Sequence, residues 1–441
     1  MTNTNLAILH ALRDFIDHVH EKKMFIENKN HFTVNDSKLN FHRLISLVLN
    51  LPKKSLSLEI EEFFDVIDKP ELACTKSAFT QQRSKLSYHF FSALTAKLLD
   101  ENRLRNSITL KRWKGFILCG VDGSTINLVN RPDVREFFGT QSNNHSDYPM
   151  GRIMCIYDVL NNVTVGCDLF PVTISEREII KHWIEVTSSE HLLLYDRGFP
   201  SFVNFFLHDQ QEKPIHYVMR ARPDMSMAVA GFANSKKRDT ILRLQANNDN
   251  VNDLCRLGYK ITKGMELKVR AIKVKLNNGE TEILLTNLFD PITYPTSIFK
   301  DLYFKRWGAE TNYDVQKNCL QLECFSGTKV NSILQDFYAA VFIGNLQSIL
   351  TNSCHKKLQR KTARRKHVYQ MNKNLAIGLI KNKVPLLLLH RSPEKILERL
   401  LEQQLKFHEP VRPNRSYPRN KHSRRRLTGR HQTELNYKRA L

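Results

Sequence analysis

The sequence predicts an α/β protein: a mixed-sheet core with a β-rich insertion, a helical N-terminal region and a basic C-terminal region. Three observations lead there. Between Gly115 and Arg220, strand-like and helical runs follow one another as three strands, helix, strand, helix, strand. Between Ala221 and Asn287 the pattern becomes apolar–basic alternation about an Asn277-Asn278-Gly279 turn. Before residue 110, and again from Ser297 to Leu350, apolar residues recur at helical spacing.

In chain order, Asn5–Val19, Phe41–Leu49 and Leu58–Val66 read as helices, and Asp68-Lys69-Pro70-Glu71 breaks the chain. Thr75–Leu86 carries Lys76, Gln81, Gln82, Arg83 and Lys85, and Tyr88–Leu99 follows. Short helices with a basic, amide-rich element suit a DNA-binding module, and equally an ordinary helical domain with a solvated face. The apolar run Phe116–Val121 ends in Asp122-Gly123-Ser124-Thr125. Met150–Val159 and Val163–Val172 flank Asn161-Asn162 as a hairpin. Ser175 caps a helix to Val186, with Glu176 and Glu178 in its first turn. His191–Tyr195 is a short apolar strand closing on Asp196-Arg197-Gly198-Phe199, before a helix Ser201–His208 and a strand Ile215–Arg220. Leu267–Val274 sets Lys268, Arg270 and Lys273 among apolar residues, as a hairpin strand with one cationic face. Asn331–Leu350 is a long apolar helix, and Leu375–Leu400 fits two short ones. From Pro410 the chain, rich in Pro, Arg and Ser, reads as extended or disordered. The expected organisation is a helical DNA-binding region (1–110), a catalytic core in two parts (111–220 and 289–352), a β-rich insertion (221–288) and a basic region (353–441).

A chain of 441 residues with a formal charge of +23 and a pI near 9.7 favours an acidic polymer, nucleic acid before anionic membrane. The excess is uneven: His355–Leu441 holds 24 Lys and Arg against 5 Asp and Glu, which is +19 of the +23. Eight cysteines without a Cys-x-x-Cys sit mostly among apolar residues, which predicts free buried thiols, a reducing compartment and no zinc site. Arg13, Asp14 and Asp17 interrupt the N-terminal stretch, so no signal peptide is expected. The longest strongly apolar run, Val384–Leu389, is too short to span a bilayer. The expected location is the cytoplasm, at the nucleoid, with no membrane partner.

Asp122 and Asp196 each close an apolar strand, where an ionised carboxylate is costly unless something positive holds it. Either alone reads as a turn-former or helix cap. Together with Glu310, on a helix able to pack over the sheet, they form a set able to hold two Mg²⁺ ions. No proline interrupts Ser297–Leu322, so this stretch reads as one helix. At about 100° per residue, Tyr303, Arg306, Glu310 and Lys317 then fall within an arc of roughly 60°. Such a face suits phosphates and metal, and equally plain solvent. His191 and His208 have no partner pattern and read as structural.

The spacing Tyr, two residues, Arg, three residues, Glu, six residues, Lys resembles the Tyr-Arg-Glu-Lys signature of bacterial insertion-sequence transposases of type four, which are DDE enzymes. Trp307 and the run Leu322-Glu323 to Phe325-Ser326-Gly327 share the resemblance, which covers roughly residues 75–350. Gly308 and Ala309 depart from it, since many relatives have a bulky aliphatic before the Glu. The resemblance implies a ribonuclease H-like core interrupted between the second Asp and the Glu. It implies Asp122, Asp196 and Glu310 as catalytic and metal-binding residues for Mg²⁺, two ions, with Mn²⁺ able to substitute. It implies that Tyr303, Arg306 and Lys317 grip phosphates at the transposon end. Trp307 is a candidate stacking partner for an extruded base, with a core tryptophan as the open alternative. The implied activity is cut-and-paste transposition by a homodimer on double-stranded DNA, at terminal inverted repeats and a target. Two alternatives stay open: an inactive protein that occupies the element's ends, and a ribonuclease H-like nuclease without strand transfer.

Overall fold

The computed structural model describes residues 2–18, 23–26, 28, 31–32, 37–142, 146–276, 279–412 and 441, with the backbone alone at Thr2, Lys23 and Arg177. The chain divides into two compact units. One holds Asn106–Asp314 with Thr328–Val330, and the other Met1–Arg105, Val315–Gly327 and Asn331–Leu441.

The first unit is built on a nine-stranded sheet: β1 (Ile117–Asn127), β2 (Thr140–Ser142), β3 (Asp147–Asp158), β4 (Val163–Pro171), β5 (His191–Tyr195), β6 (His216–Ala221), β7 (Asp239–Gln245), β8 (Glu266–Lys275) and β9 (Thr281–Thr286). The spatial order is β2-β3-β1-β5-β6-β9-β8-β7, with β4 also on β3. β4, β3 and β1 pair antiparallel, and β1, β5 and β6 pair parallel. This is the arrangement expected of a ribonuclease H-like core. β5 is buried along its whole length, which is why it reads as an unbroken apolar run. β1, buried over Ile117–Val121, likewise sends alternate residues to two cores. Cys119 and Val121 pack with Trp183 and Phe205 on one face, and Leu118 packs with Leu192, Leu302 and Tyr303 on the other.

Residues 221–288 hold β7, β8 and β9, and β9 pairs with β6, so the sheet runs on without a break. Two helices there, Met227–Asn234 and Asn248–Arg256, escape a reading based on alternation, because each is only two turns or so long. The cationic face expected on Leu267–Val274 does not form. Arg270 is buried against the Asp239 carboxylate and the carbonyls of Leu288 and Tyr294. Lys273 donates to the carbonyls of Ala233 and Ser235, which leaves Lys268 in solvent. The Asn277-Asn278 half of the turn lies outside the described residues.

Two further expectations change. β1 does not stop at Val121, because its pairing with β3 continues from Asp122–Cys155 to Asn127–Met150; Asp122 is therefore mid-strand. The signature stretch is not one helix but Phe299–Phe304, Trp307–Asp314 and a π-helical turn Val315–Cys319. At the first break, the amides of Lys305, Arg306, Gly308 and Ala309 all bond three residues back, which tightens the chain and shifts its phase.

The second unit is largely helical. Its helix Val330–Thr362 is long and apolar enough to cross a membrane, yet 89% of that apolar window is buried inside the protein, as in a core helix. Arg83, expected on a basic surface element, is buried. It donates to Asp336 (2.7 Å), Ser326 (2.7 Å) and the Ser332 carbonyl (2.8 Å). The stretch 289–352 thus divides between the units. The expected extended tail from Pro410 lies, for residues 413–440, outside the described residues. None of the eight cysteines, all of them among the described residues, is in a disulfide; Cys119, Cys155, Cys167 and Cys354 are buried, and Cys255 is exposed.

Candidate active site

Asp122 and Asp196 come together through strand register. β1 and β5 run parallel with Val121 opposite Tyr195, so each aspartate takes the next position along its strand. Val121 and Tyr195 both face the cluster that contains Trp183. Strand alternation therefore turns Asp122, one residue on, to the opposite face of the sheet. That face carries Tyr303 of the helix Phe299–Phe304, whose hydroxyl stands near Asp196.

The helix Trp307–Asp314 covers this face and carries Glu310. Small residues let it lie close. A Cβ on Gly120 would stand 3.0 Å from the Ala309 Cβ and 3.2 Å from the Arg306 carbonyl oxygen. A Cβ on Gly308 would stand 2.9 Å from Cγ1 of Val159. Gly308 and Ala309, the two departures from the family pattern, are thus the residues at the closest approach. Two tyrosines tie the layers together. Tyr313 donates its hydroxyl to the Asp122 carbonyl (2.6 Å), and Tyr303 donates to the Tyr195 carbonyl (3.1 Å) and Asp196 Oδ1 (3.4 Å).

Arg306 stands among the carboxylates. It is 2% exposed, and its Nη2 donates to Glu310 Oε1 (2.9 Å). Its guanidinium lies over the rings of Tyr303 and Trp307, and its Nε is buried without a hydrogen-bond partner among the described residues. Burial opposes its charge, but Tyr303, Asp196 and Glu310 raise its pKa overall. Burial pushes the Asp122 carboxyl up to about 6, and Glu310 and Glu176 add to this; the Gly123 amide (3.0 Å) and Arg306 oppose it. Arg220 Nε lies 3.8 Å from Asp196 Oδ1 and its Nη1 2.7 Å from Glu282.

The six residues Asp122, Asp196, Tyr303, Arg306, Trp307 and Glu310 therefore share one neighbourhood of the first unit. Trp307 is 39% exposed, which makes it no core tryptophan. Lys317 belongs to the second unit, in the π-helical turn, where burial lowers its pKa against the pull of Glu323. Among the described residues, no three His, Cys, Asp or Glu side chains are grouped closely enough to hold a metal ion. Like charges repel, and Glu310 pairs with the Arg306 guanidinium. The donor chemistry nonetheless fits a hard divalent cation: three carboxylates from separate segments, one of them short of compensating charge.

Three contributors escape a reading of the sequence. Tyr313 lies three residues after Glu310 and Gly120 two before Asp122, but neither carries charge. Glu176 reads there only as a helix-start acid, yet it stands beside Asp122 and pairs with Arg152 (3.2 Å).

The site is thus a set of carboxylates on a ribonuclease H-like sheet. No family model matches the chain. It is 22% identical over 218 residues to transposase InsG for insertion sequence element IS4 of Escherichia coli K12, covering 49% of this chain and 47% of that protein. It is 20% identical over 132 residues to the putative transposase InsZ of the same organism, covering 29% and 44%. By sequence, then, it is related to transposases of the insertion-sequence type, and it spans about half the length of the curated relatives it matches. It also superposes on a chain from a cryo-EM structure of the piggyBac transposase synaptic complex with hairpin DNA. The TM-score is 0.43 at 9% identity, covering 93% of this chain and 84% of that one. The fold assignment rests on strand order and direction, not on that superposition.

Proposed function

We propose that the chain is a DDE transposase that cuts DNA at the ends of a mobile element and joins them to a target. The observation that carries this reading is the placement of Asp122 and Asp196 at adjacent register positions of parallel strands, under the helix that bears Glu310. These three carboxylates would hold Mg²⁺, as two ions with Mn²⁺ able to substitute. When bound, the ions supply Lewis-acid stabilisation of phosphate charge and a water of lowered pKa. The chain's own residues do the positioning. Tyr303 and Tyr313 fix the backbone at the two aspartates, and Arg306 holds Glu310 in place. To fork a phosphate beside the scissile bond as well, that guanidinium would have to turn out of its buried seat against Glu310, whereas Trp307, 39% exposed, already offers a ring to a base. Lys317, in the second unit, would be a separate phosphate contact there. The partner is double-stranded DNA, at terminal inverted repeats and a target, bound by a homodimer.

The test is a time course on a labelled element end that scores nick, hairpin and joined product separately. Asp122→Ala, Asp196→Ala and Glu310→Ala should each abolish nicking and leave DNA binding largely intact. Undiminished nicking by Asp196→Ala would remove that residue from the site. Arg306→Ala should depress hairpin and joined product more than the first nick, and Arg306→Lys should not restore them fully, because the fork is lost. Equal loss of all three products would favour a nuclease without strand transfer.

A further inference from the structure

Next to Asp196 along the chain, wholly within the first unit, lies an open cavity of about 710 Å³ that the proposed chemistry does not use. Its lining includes three arginines, Arg197, Arg222 and Arg243, all exposed. Arg222 and Arg243 keep 61% and 66% of their side chains in solvent. Arg222 lies 3.7 Å from Asp224, which also lines the cavity, and Arg243 lies 3.1 Å from Glu266, so each has a partner that solvent screens. Ser201, Ser226 and Asn247 line it too, and each caps a helix that starts there: Phe202–Asp209, Met227–Asn234 and Asn248–Arg256. Each cap accepts from the third amide of its helix, and the first two amides of a helix have no carbonyl four residues back.

We infer that this arginine-lined cavity binds the phosphodiester backbone of duplex DNA next to the scissile position. Three guanidiniums around an open mouth suit a polyanion that passes through better than a small anion that must be enclosed. The cavity adjoins Asp196 along the chain. Arg197 follows Asp196 directly, and Arg222 lies two residues beyond Arg220, which stands 3.8 Å from Asp196. A strand crossing Asp196 can therefore continue into it. This inference deepens the transposase reading and rests on it for the identity of the polyanion. The DNA has two sources, the element's own end and the target.

The test uses the full chain without divalent ions, so that binding is read apart from cleavage. Arg222→Gln/Arg243→Gln is compared with wild type on two labelled duplexes, one carrying the element's end and one of unrelated sequence, across a salt series. The slope of log affinity against log salt should become shallower by about 1.8 for two lost phosphate contacts. A change on the end duplex alone assigns the cavity to the element's end, and a change on both assigns it to backbone of any sequence, target included. An unchanged slope on both, in a variant with unchanged thermal melting, overturns the inference. Should the variant not fold, hydrogen exchange on the wild-type chain decides instead. Duplex binding should protect the amides of residues 202–204 and 227–229, and no protection there overturns it. Asp122→Ala nicking reports on the carboxylate reading independently of either result.

Discussion

Arg306 is the residue whose surroundings say most about its work. A guanidinium 2% exposed must be held by charge or hydrogen bonds, and here the Glu310 carboxylate does so. Tyr303 is likewise turned inward, to the backbone at Asp196. A second buried titratable residue supports the same strand. His208 is fully buried, its Nδ1 against the Asn204 carbonyl (2.6 Å) and its Nε2 against the Tyr195 hydroxyl (3.0 Å). Burial lowers its pKa from 6.5 to about 4. The unfolded chain therefore takes up the proton first. The histidine's contribution to stability is complete above pH 6.5 and is lost as pH falls from there through about 4. The whole span amounts to about 3 kcal/mol, of which about 2 is gone by pH 5. Urea unfolding of wild type and His208→Gln should show the wild-type advantage shrinking between about pH 7.5 and 5. A difference that stays constant would mean that folding does not lower the pKa of His208.

At the scale of the element, the seating of Trp307–Asp314 on β1 is what brings Glu310 over the sheet face that carries Asp122. Its closeness depends on glycine at 120, because the nearest obstacles to a side chain there are the Ala309 Cβ and the Arg306 carbonyl, neither of which can swing away. Gly120→Val should cost about 1–3 kcal/mol through overpacking. It should lower the melting temperature and depress nicking beyond what the lost stability explains. Gly231→Ala, inside the helix Met227–Asn234 where nothing stands within 4 Å, is the control: it should leave nicking unchanged and raise the melting temperature rather than lower it. Tyr313→Phe keeps the ring and removes only the hydroxyl bonded to the Asp122 carbonyl. It should cost about 0.5–1.5 kcal/mol of stability and slow nicking while DNA binding holds. Full nicking activity in Tyr313→Phe would show that the strut is not needed.

At the scale of the molecule, charge and fold divide the work differently. The sheet unit buries or pairs several of its cations, as at Arg270, Arg306 and Lys273. The largest concentration of positive charge lies near the end of the chain, +19 between His355 and Leu441, from 24 basic and 5 acidic residues. Deleting Pro410–Leu441 should therefore make the salt dependence of DNA binding shallower by about 0.9 per lost phosphate contact, without abolishing end recognition. An identical slope for the truncated and full chains would mean that these charges do not reach DNA.

The sequence by itself determined what local chemistry specifies. The spacing from Tyr303 to Lys317, the two aspartates after apolar runs and the strand–helix order of the core are all written in neighbouring residues. So is the Ser175 cap, which the structure completes as a reciprocal pair of bonds with Glu178. Only the tertiary structure decided where the charges went. Arg270 meets Asp239 from 31 positions away and Arg83 meets Asp336 from 253 away, so no reading of either segment alone could tell a buried clamp from a DNA-facing cation. The same holds for Asp122, which is mid-strand because β3 continues to pair alongside it. It holds too for the signature helix, whose break carries its guanidinium inward to Glu310. Periodicity reports which face of an element a residue takes, but the partner that compensates a buried charge comes from elsewhere in the chain, and only folding brings it near.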